Sequence, residues 1–162
     1  MSVVVRLAVA GDAAEIAAMA DELRLHQKDP VGNLTPEVLR RDAFGAKPQI
    51  RVLIATMDGV PAGYALFHDS YDPAYAARGV YLANLYVRPR GRRRGIGRAL
   101  AAAVAADARS RGRSFVWWAS QRWNAEAHAF YTAIGALTDP INAHAVVFGA
   151  FELLADRHGG AL

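Results

Sequence analysis

The residues best suited to chemistry lie in one short basic segment that is rich in glycine. Its arginines and glycines are Arg88, Arg90, Arg92, Arg93, Arg94 and Arg98, with Gly91, Gly95 and Gly97. Glycine allows backbone N–H groups to approach a phosphate oxygen closely, and guanidinium groups add paired donors. A helical apolar pattern begins at Ile96, and the first N–H groups of a helix lack internal partners at its positive end. The segment therefore predicts a diphosphate site at a helix N-terminus.

Two common nucleotide-binding motifs do not fit this segment. A P-loop places Gly-Lys-Ser/Thr at the helix start, whereas Gly97 is followed by Arg98. A dinucleotide fingerprint has a third glycine where Leu100 stands, and an acid after the next strand where Ala119 and Ser120 stand. A tight strand-to-helix turn beside solvated arginines remains the alternative interpretation.

Composition narrows the remaining classes. The chain has 162 residues, 53% of them hydrophobic, and no cysteine, so one domain over residues 1–162 is expected, without disulfides or a cysteine nucleophile. The net charge of +4 is concentrated in the basic segment, which favours one anionic ligand over a nucleic-acid-binding surface. Neither a membrane-spanning run nor a signal peptide is evident. A cytoplasmic protein with no membrane or nucleic-acid partner is expected.

The elements around the basic segment alternate between strand and helix. Strand patterns occur over residues 3–9, 51–56, 61–68, 79–87, 114–119 and 143–151. Helix patterns occur over residues 12–27, 35–45, 96–111 and 124–134. Asp12 and Glu15 suggest a capping box, Thr35 suggests an N-cap, and Asp58-Gly59 predicts a hairpin. The order predicts an α/β domain with a mixed sheet.

The basic segment and the strand before it resemble a known signature. The match is Leu85-Tyr86-Val87-x-Pro89 followed by Arg92-x-x-Gly95-x-Gly97. It is similar to the acetyl-CoA pyrophosphate signature of GNAT acetyltransferases. A second GNAT-like motif follows at suitable spacing, and it reads Trp123-Asn124-x-x-Ala127-x-x-Phe130-Tyr131-x-x-x-Gly135-Ala136.

Other segments resemble the spermidine/spermine (diamine) and thialysine acetyltransferase branch of that superfamily. They are Phe44-Gly45-x-x-Pro48, Gly63-Tyr64-Ala65-x-Phe67 and Tyr81-Leu82. The resemblance extends to about residue 137, and the closing strand matches weakly. It implies the GNAT fold: a mixed, mostly antiparallel central sheet with a splayed strand pair, flanked by about four helices. It also implies acetyl-CoA as cosubstrate, with no metal, and commonly a homodimer.

The resemblance further implies roles for individual residues. The cofactor would contact Leu85, Tyr86, Val87, Arg92, Arg93, Arg94, Gly95, Ile96, Gly97, Arg98, Asn124, Ala127 and Phe130. Backbone groups of Leu85 and Val87 would pair with the pantetheine arm, and the N–H near Leu85 would polarise the thioester carbonyl. Tyr131 would protonate the leaving thiolate after direct attack by an amine in a ternary complex.

The acceptor side departs from the polyamine-acetylating pattern. Where two acids follow Tyr-Leu in such relatives, this chain has Ala83 and Asn84. The residues expected near the acceptor are His26, Gln27, Ala83, Asn84 and Arg122. His68 and His26 are candidate bases acting through water, whereas Trp117 and Trp118 are interpreted as packing in a buried strand. A GNAT-like acyl-CoA sensor without turnover and, less favoured, a nucleic-acid-binding module remain the alternatives.

Overall fold

A twisted sheet with helices on both faces positions the basic segment. The computed structural model describes residues 2–157, within two compact units, Met1–Asn124 and Ala125–Leu162. The first unit contains β1 Val3–Leu7, α1 Ala13–Gln27, α2 Pro36–Asp42, β2 Arg51–Met57, β3 Val60–Asp72, β4 Ala77–Val87, α3 Ile96–Ser110 and β5 Val116–Trp117. The second unit contains α4 Ala125–Ala133 and α5 Phe148–Asp156. The predicted mixed α/β class is confirmed.

The five strands found in residues 2–157 follow their chain order in the sheet. The pairs from β1 to β4 are antiparallel, and β5 runs parallel to β4. The predicted β2–β3 hairpin is present, with left-handed φ angles of 51° at Asp58 and 79° at Gly59. Two such residues give a turn whose twist matches that of the flanking strands. The sheet is therefore mostly antiparallel, as expected.

The hydrophobic core lies on both faces of this sheet. On one face α1 and α2 pack Ile16, Met19 and Leu39 against strand residues that include Ile54 and Tyr64. The opposite face buries α3 against the alternate strand positions. Its largest fully buried side chains are Phe67, Val80, Ile96, Leu100 and Val104. Since successive strand residues point to opposite faces, both faces of β2 and β3 are covered and their sequences read as continuous apolar runs.

Strand β4 contains an irregularity in its pairing with β3. Leu66 of β3 pairs with Asn84, but Phe67 pairs with Leu82, so Ala83 is an extra residue in β4. One extra residue of this kind is a β-bulge, which bends the strand. Beside β4, the ladder with β5 has only two pairs and ends at Tyr81. Within residues 2–157, no other strand pairs with the rest of that β4 edge.

Two predicted strands differ from the structure. Residues 143–151 were expected to form a strand, but the chain is irregular up to Val147 and then forms α5. Phe148, Phe151 and Leu154 recur at helical spacing, and a short apolar run does not distinguish the two structures by periodicity alone. The strand predicted over residues 114–119 shortens to Val116–Trp117, and Trp117 is 44% exposed rather than buried.

The capping box predicted at Asp12 is also wrong. The Asp12 carboxylate accepts hydrogen bonds from the Val9 N–H at 2.8 Å and from the Arg6 guanidinium at 2.7 Å. The Arg6 guanidinium holds the pKa of Asp12 below its ordinary value. Asp12 therefore secures the β1–α1 connection instead of capping α1 with its side chain. By contrast, the Thr35 Oγ accepts from the Val38 N–H, as predicted for an N-cap.

The described residues were searched for membrane-spanning helices and for groups of metal-ligating side chains. Among residues 2–157, no helix is both long and apolar enough to cross a bilayer. In the same residues, no three His, Cys, Asp or Glu side chains are grouped so that they could hold a metal ion.

Candidate active site

The basic turn leads directly from β4 into α3. After Val87 the chain makes a single 3-10 turn, Pro89–Gly91, and α3 begins at Ile96. The N-cap, Gly95, has a left-handed φ of 80°, which glycine adopts without strain. Gly95 supplies no side-chain cap to the helix, and an uncapped helix start is a position that anions commonly occupy. The local geometry is therefore that of an anion site at the positive end of a 15-residue helix.

Gly91 allows this turn to lie close to the core. A Cβ at this position would lie 2.9 Å from Cδ1 of Ile96 and 3.2 Å from Cγ1 of Val87. Ile96 itself is only 1% exposed, so its side chain anchors the helix start and only its backbone N–H can serve a ligand.

The arginines of the segment divide into two groups. Arg88 donates to both Glu22 oxygens, to Glu15 and to the Pro61 carbonyl, and Arg90 also donates to Pro61. The Arg88 guanidinium lowers the pKa of Glu22, and the bond to Glu22 raises the pKa of Arg88. Breaking a partly buried ion pair leaves a partly desolvated charge without its partner. We therefore interpret Arg88 and Arg90 as residues that join β4 to α1 and β3.

The second group follows the 3-10 turn. The Arg92 Nε donates to the Val87 carbonyl at 3.2 Å, which folds the turn back onto the end of β4. Arg93, Arg94 and Arg98 are exposed. Together with Gly95 and Gly97 they form one continuous basic surface around the start of α3. The predicted pyrophosphate residues are thus close in space as well as in sequence.

The backbone of β4 presents hydrogen-bonding groups at the edge beside β5. The Arg88 N–H donates to the Ala62 carbonyl on β3 at 2.9 Å. Because antiparallel partners alternate between bonded and non-bonded pairs, the backbone groups of Leu85 and Val87 point away from β3. Their side chains pack against the α3 face of the core. The predicted distinction between a core side chain and an available backbone is consistent with this geometry for Leu85, whereas the Val87 carbonyl already accepts from Arg92.

Tyr86 differs from its two neighbours. Its position pairs with Tyr64 on β3, so its backbone faces the sheet. Its side chain is only 7% exposed, and its hydroxyl donates to Glu22 at 3.1 Å. Burial, followed by the hydrogen bond to Glu22, raises the pKa of Tyr86. Tyr86 therefore supports the strand, and it lacks the edge geometry expected of a residue that contacts the cofactor.

The expected acceptor residues lie in two places. At the end of α1, the His26 ring lies 6.1 Å from the Trp123 ring. Gln27 follows His26 in the chain and Arg122 precedes Trp123, so both are next to a residue of this ring contact. On β4, Ala83 is exposed at the bulge and Asn84 is half-buried beside it.

Three aromatic side chains lie side by side across β3, β4 and β5. The sequence analysis had interpreted His68 as a candidate base and Trp117 as core packing. His68 lies 5.4 Å from Tyr81, and Tyr81 lies 4.6 Å from Trp117, measured between ring centroids. The Trp117 Nε1 donates to the Ser70 Oγ at 3.0 Å. Sequence alone could not reveal this row, because the register of the parallel β4–β5 pair has no local signal.

The remaining predicted residues are Asn124, the last residue of the first unit, and three residues of the second unit. Ala127, Phe130 and Tyr131 share a helical stripe on α4, and Asn124 immediately precedes this helix. The rings of Phe130 and Tyr131 are 5.6 Å apart. Burial raises the pKa of Tyr131, so its phenol keeps the proton at neutral pH. A protonated phenol is the form that a general acid requires.

Comparisons with known proteins agree with the sequence motifs. Residues 17–136 match the model of the acetyltransferase (GNAT) family. A thialysine N-epsilon-acetyltransferase of Bos taurus is 34% identical over 144 residues, covering 83% of this chain and 84% of the bovine protein. A ribosomal-protein-alanine N-acetyltransferase of Brucella melitensis has a TM-score of 0.74 at 25% identity, covering 91% of this chain and 100% of that one. An integron cassette protein of V. cholerae shares the fold, with a TM-score of 0.78 at 20% identity over 96% of this chain and 98% of that one.

Proposed function

Because this chain belongs to the acetyltransferase (GNAT) family and is an acyltransferase, we propose that it transfers an acetyl group from acetyl-CoA to a primary amine of a small molecule. One observation carries the choice of cosubstrate. The backbone edge at Leu85 and Val87 continues into the basic turn and the start of α3. An extended amide-bearing arm that ends in a diphosphate, as in CoA, complements such an edge followed by an anion site.

Each part of this arrangement has a distinct task in the proposal. The N–H groups at the start of α3, together with Arg92, Arg93, Arg94 and Arg98, bind the pyrophosphate. The backbone groups of Leu85 and the N–H of Val87 pair with the pantetheine arm as one strand pairs with another, beside the Val87 carbonyl that accepts from Arg92. The backbone N–H near Leu85 polarises the thioester carbonyl and stabilises the oxyanion that develops there.

The chemical step is a direct transfer within a ternary complex. The free amine attacks the thioester carbon, a C–N bond forms, and the C–S bond breaks. The amine gives up a proton, through water, to His68 or His26, and the Tyr131 hydroxyl donates a proton to the departing thiolate. No acyl-enzyme forms. The chain has no cysteine, and the amine itself is the nucleophile.

We expect acetyl-CoA to bind and to raise the melting temperature, because a ligand that binds only the folded state stabilises it by about 2.7 kcal/mol at 100 times its Kd. The measurement is a thermal melt with saturating acetyl-CoA, followed by thiol release in the presence of a panel of primary amines. ATP and NAD are the matched controls. A shift with ATP or NAD, and none with acetyl-CoA, would contradict the cosubstrate assignment.

A sensor that binds acyl-CoA without turnover is the second candidate. The absence of an acid at Ala83 and Asn84, where the β4 bulge lies, is the observation in its favour. Binding of acetyl-CoA without thiol release for any amine in the panel would favour the sensor. A homodimer and a cytoplasmic location also belong to the proposal and rest on the family resemblance and the sequence.

We expect spermidine and spermine to be poor acceptors compared with monoamines or amino-acid amines. A polycation needs carboxylates along its path to offset the desolvation of several ammonium groups. The expected positions instead hold Gln27, Ala83, Asn84 and Arg122, and an arginine would repel a cationic chain. The measurement is kcat/KM for spermidine against that for an amino-acid amine at fixed acetyl-CoA.

Charge reversal at Arg122 tests this expectation directly. Arg122→Glu is expected to raise kcat/KM for spermidine, and Arg109→Glu, an equal charge change at the exposed end of α3, is expected to leave it unchanged. Wild-type acetylation of spermidine faster than that of amino-acid amines would refute the expectation.

A further inference from the structure

Three aromatic side chains form a continuous row across three strands of the sheet. We define the aromatic row as His68 on β3, Tyr81 on β4 and Trp117 on β5. His68 pairs with Tyr81 and Tyr81 pairs with Trp117, so the rings share one face of the sheet. Trp117 is 44% exposed, and its hydrogen bond to Ser70 holds the indole in one orientation. An exposed ring that is held in this way resembles a binding surface more than core packing.

The aromatic row lies beside the place proposed for acyl transfer. Asn84 pairs with Leu66 and Tyr81 pairs with His68, so both β4 residues lie on the same face. Since Leu66 and His68 are two positions apart on β3, Asn84 and Tyr81 are separated by about 7 Å along the sheet. The bulge at Ala83 lies between them. A short alkyl chain can span this distance and connect an amine near Asn84 to a group resting on the aromatic row.

Asp69 does not contribute a carboxylate to the aromatic row. It follows His68, and its position pairs with Val80, whose side chain packs on the α3 face, so Asp69 lies on the face opposite the aromatic row. Its carboxylate accepts hydrogen bonds from Arg113 and from Arg111, which hold the pKa of Asp69 at about 2. Asp69 is therefore not placed to bind an ammonium group on the aromatic row. An uncharged flat ring gains stacking and apolar burial against the row.

We propose that the aromatic row is an acceptor subsite for an aryl group, and that the protein prefers arylalkylamines with a short linker. This inference rests on the proposed acetyl transfer and specifies its substrate class. The ring of the acceptor stacks against Tyr81 and Trp117, and the alkyl chain directs its amine toward Asn84 and the thioester.

The test compares 2-phenylethylamine with n-butylamine as acceptors at saturating acetyl-CoA. The wild type is expected to favour 2-phenylethylamine in kcat/KM by about tenfold or more, the range typical of an aromatic contact plus apolar burial. Trp117→Leu is expected to lower that ratio about tenfold, whereas Trp117→Phe, which keeps a ring, retains most of it. Tyr75→Leu removes an aromatic residue that is 82% exposed and outside the aromatic row, and is expected to leave the ratio unchanged.

Binding of 2-phenylethylamine to the protein–CoA complex, measured by calorimetry, separates this inference from the proposed function. If amines are acetylated but n-butylamine is preferred, or if Trp117→Leu leaves the ratio unchanged in a folded protein, the subsite is refuted while acetyl transfer stands. If no amine is acetylated, acetyl transfer fails. In that case weaker binding of 2-phenylethylamine to Trp117→Leu still supports the subsite, and no binding to the wild type refutes it.

Discussion

Replacing Gly97 with glutamate is expected to weaken acetyl-CoA binding at least about 100-fold while leaving the chain folded. Gly97 is the second residue of α3, within the first turn of the helix. A glutamate there places a side chain and a negative charge where the pyrophosphate is proposed to lie. Close charge pairs at interfaces are coupled by about 1.5–7 kcal/mol, and a hundredfold loss corresponds to about 2.7 kcal/mol. The measurement is the Kd for acetyl-CoA by calorimetry.

The fold is expected to tolerate this substitution for a specific reason. A glutamate in the first turn of a helix interacts favourably with the positive end of the helix dipole. The melting temperature of Gly97→Glu without ligand should therefore equal or exceed that of the wild type. Gly11→Glu is the matched control, because a Cβ at Gly11 meets no atom within 4 Å, and it should bind acetyl-CoA normally. Wild-type affinity in folded Gly97→Glu would exclude the basic turn from the cofactor site.

Replacing Tyr131 with phenylalanine is expected to lower the rate constant of the chemical step about 10²–10⁴-fold, the usual contribution of a general acid. Phenylalanine preserves the apolar ring beside Phe130, so the stability of α4 and the Kd for acetyl-CoA should change little. The measurement is single-turnover acetyl transfer with saturating cosubstrate, which separates chemistry from product release. Tyr75→Phe, at an exposed tyrosine, serves as the matched control.

The pH profile gives a second readout for Tyr131. Its burial raises the pKa of the phenol, so the protonated and competent form persists at neutral pH and is lost as the pH rises through that raised pKa. The wild type is expected to lose kcat at alkaline pH, and Tyr131→Phe should lack this decline. An unchanged single-turnover rate in Tyr131→Phe would show that Tyr131 has a purely structural role.

Local patterns predicted the elements of the proposed cofactor site well. A glycine-bearing basic turn between an apolar strand and an apolar helix has a conformation set by short-range sterics and backbone hydrogen bonding. The Asp58-Gly59 hairpin and the Thr35 cap were predicted for the same reason. These features depend on residues within a few positions of one another.

Features decided by distant partners were predicted less well. Arg88 belongs to the basic segment in sequence, yet Glu15 and Glu22 of α1 hold its guanidinium. The apolar stretch over residues 143–151 is compatible with a strand or a helix, and Phe148–Asp156 forms a helix. Trp117 reads as core, but its short strand ends where β4 and β5 separate, and the indole is exposed.

The sequence by itself determined the class of the fold, the family and the position of the basic turn. Hydrophobic periodicity and turn-forming residues can be recognised within short stretches of chain. Only the tertiary structure decided which arginines remain at the turn, which backbone groups of β4 face its edge, and which aromatic residues meet across the sheet. Those outcomes depend on strand register and on helix placement. Pairing of residues far apart in the chain sets both, and no single segment contains that information.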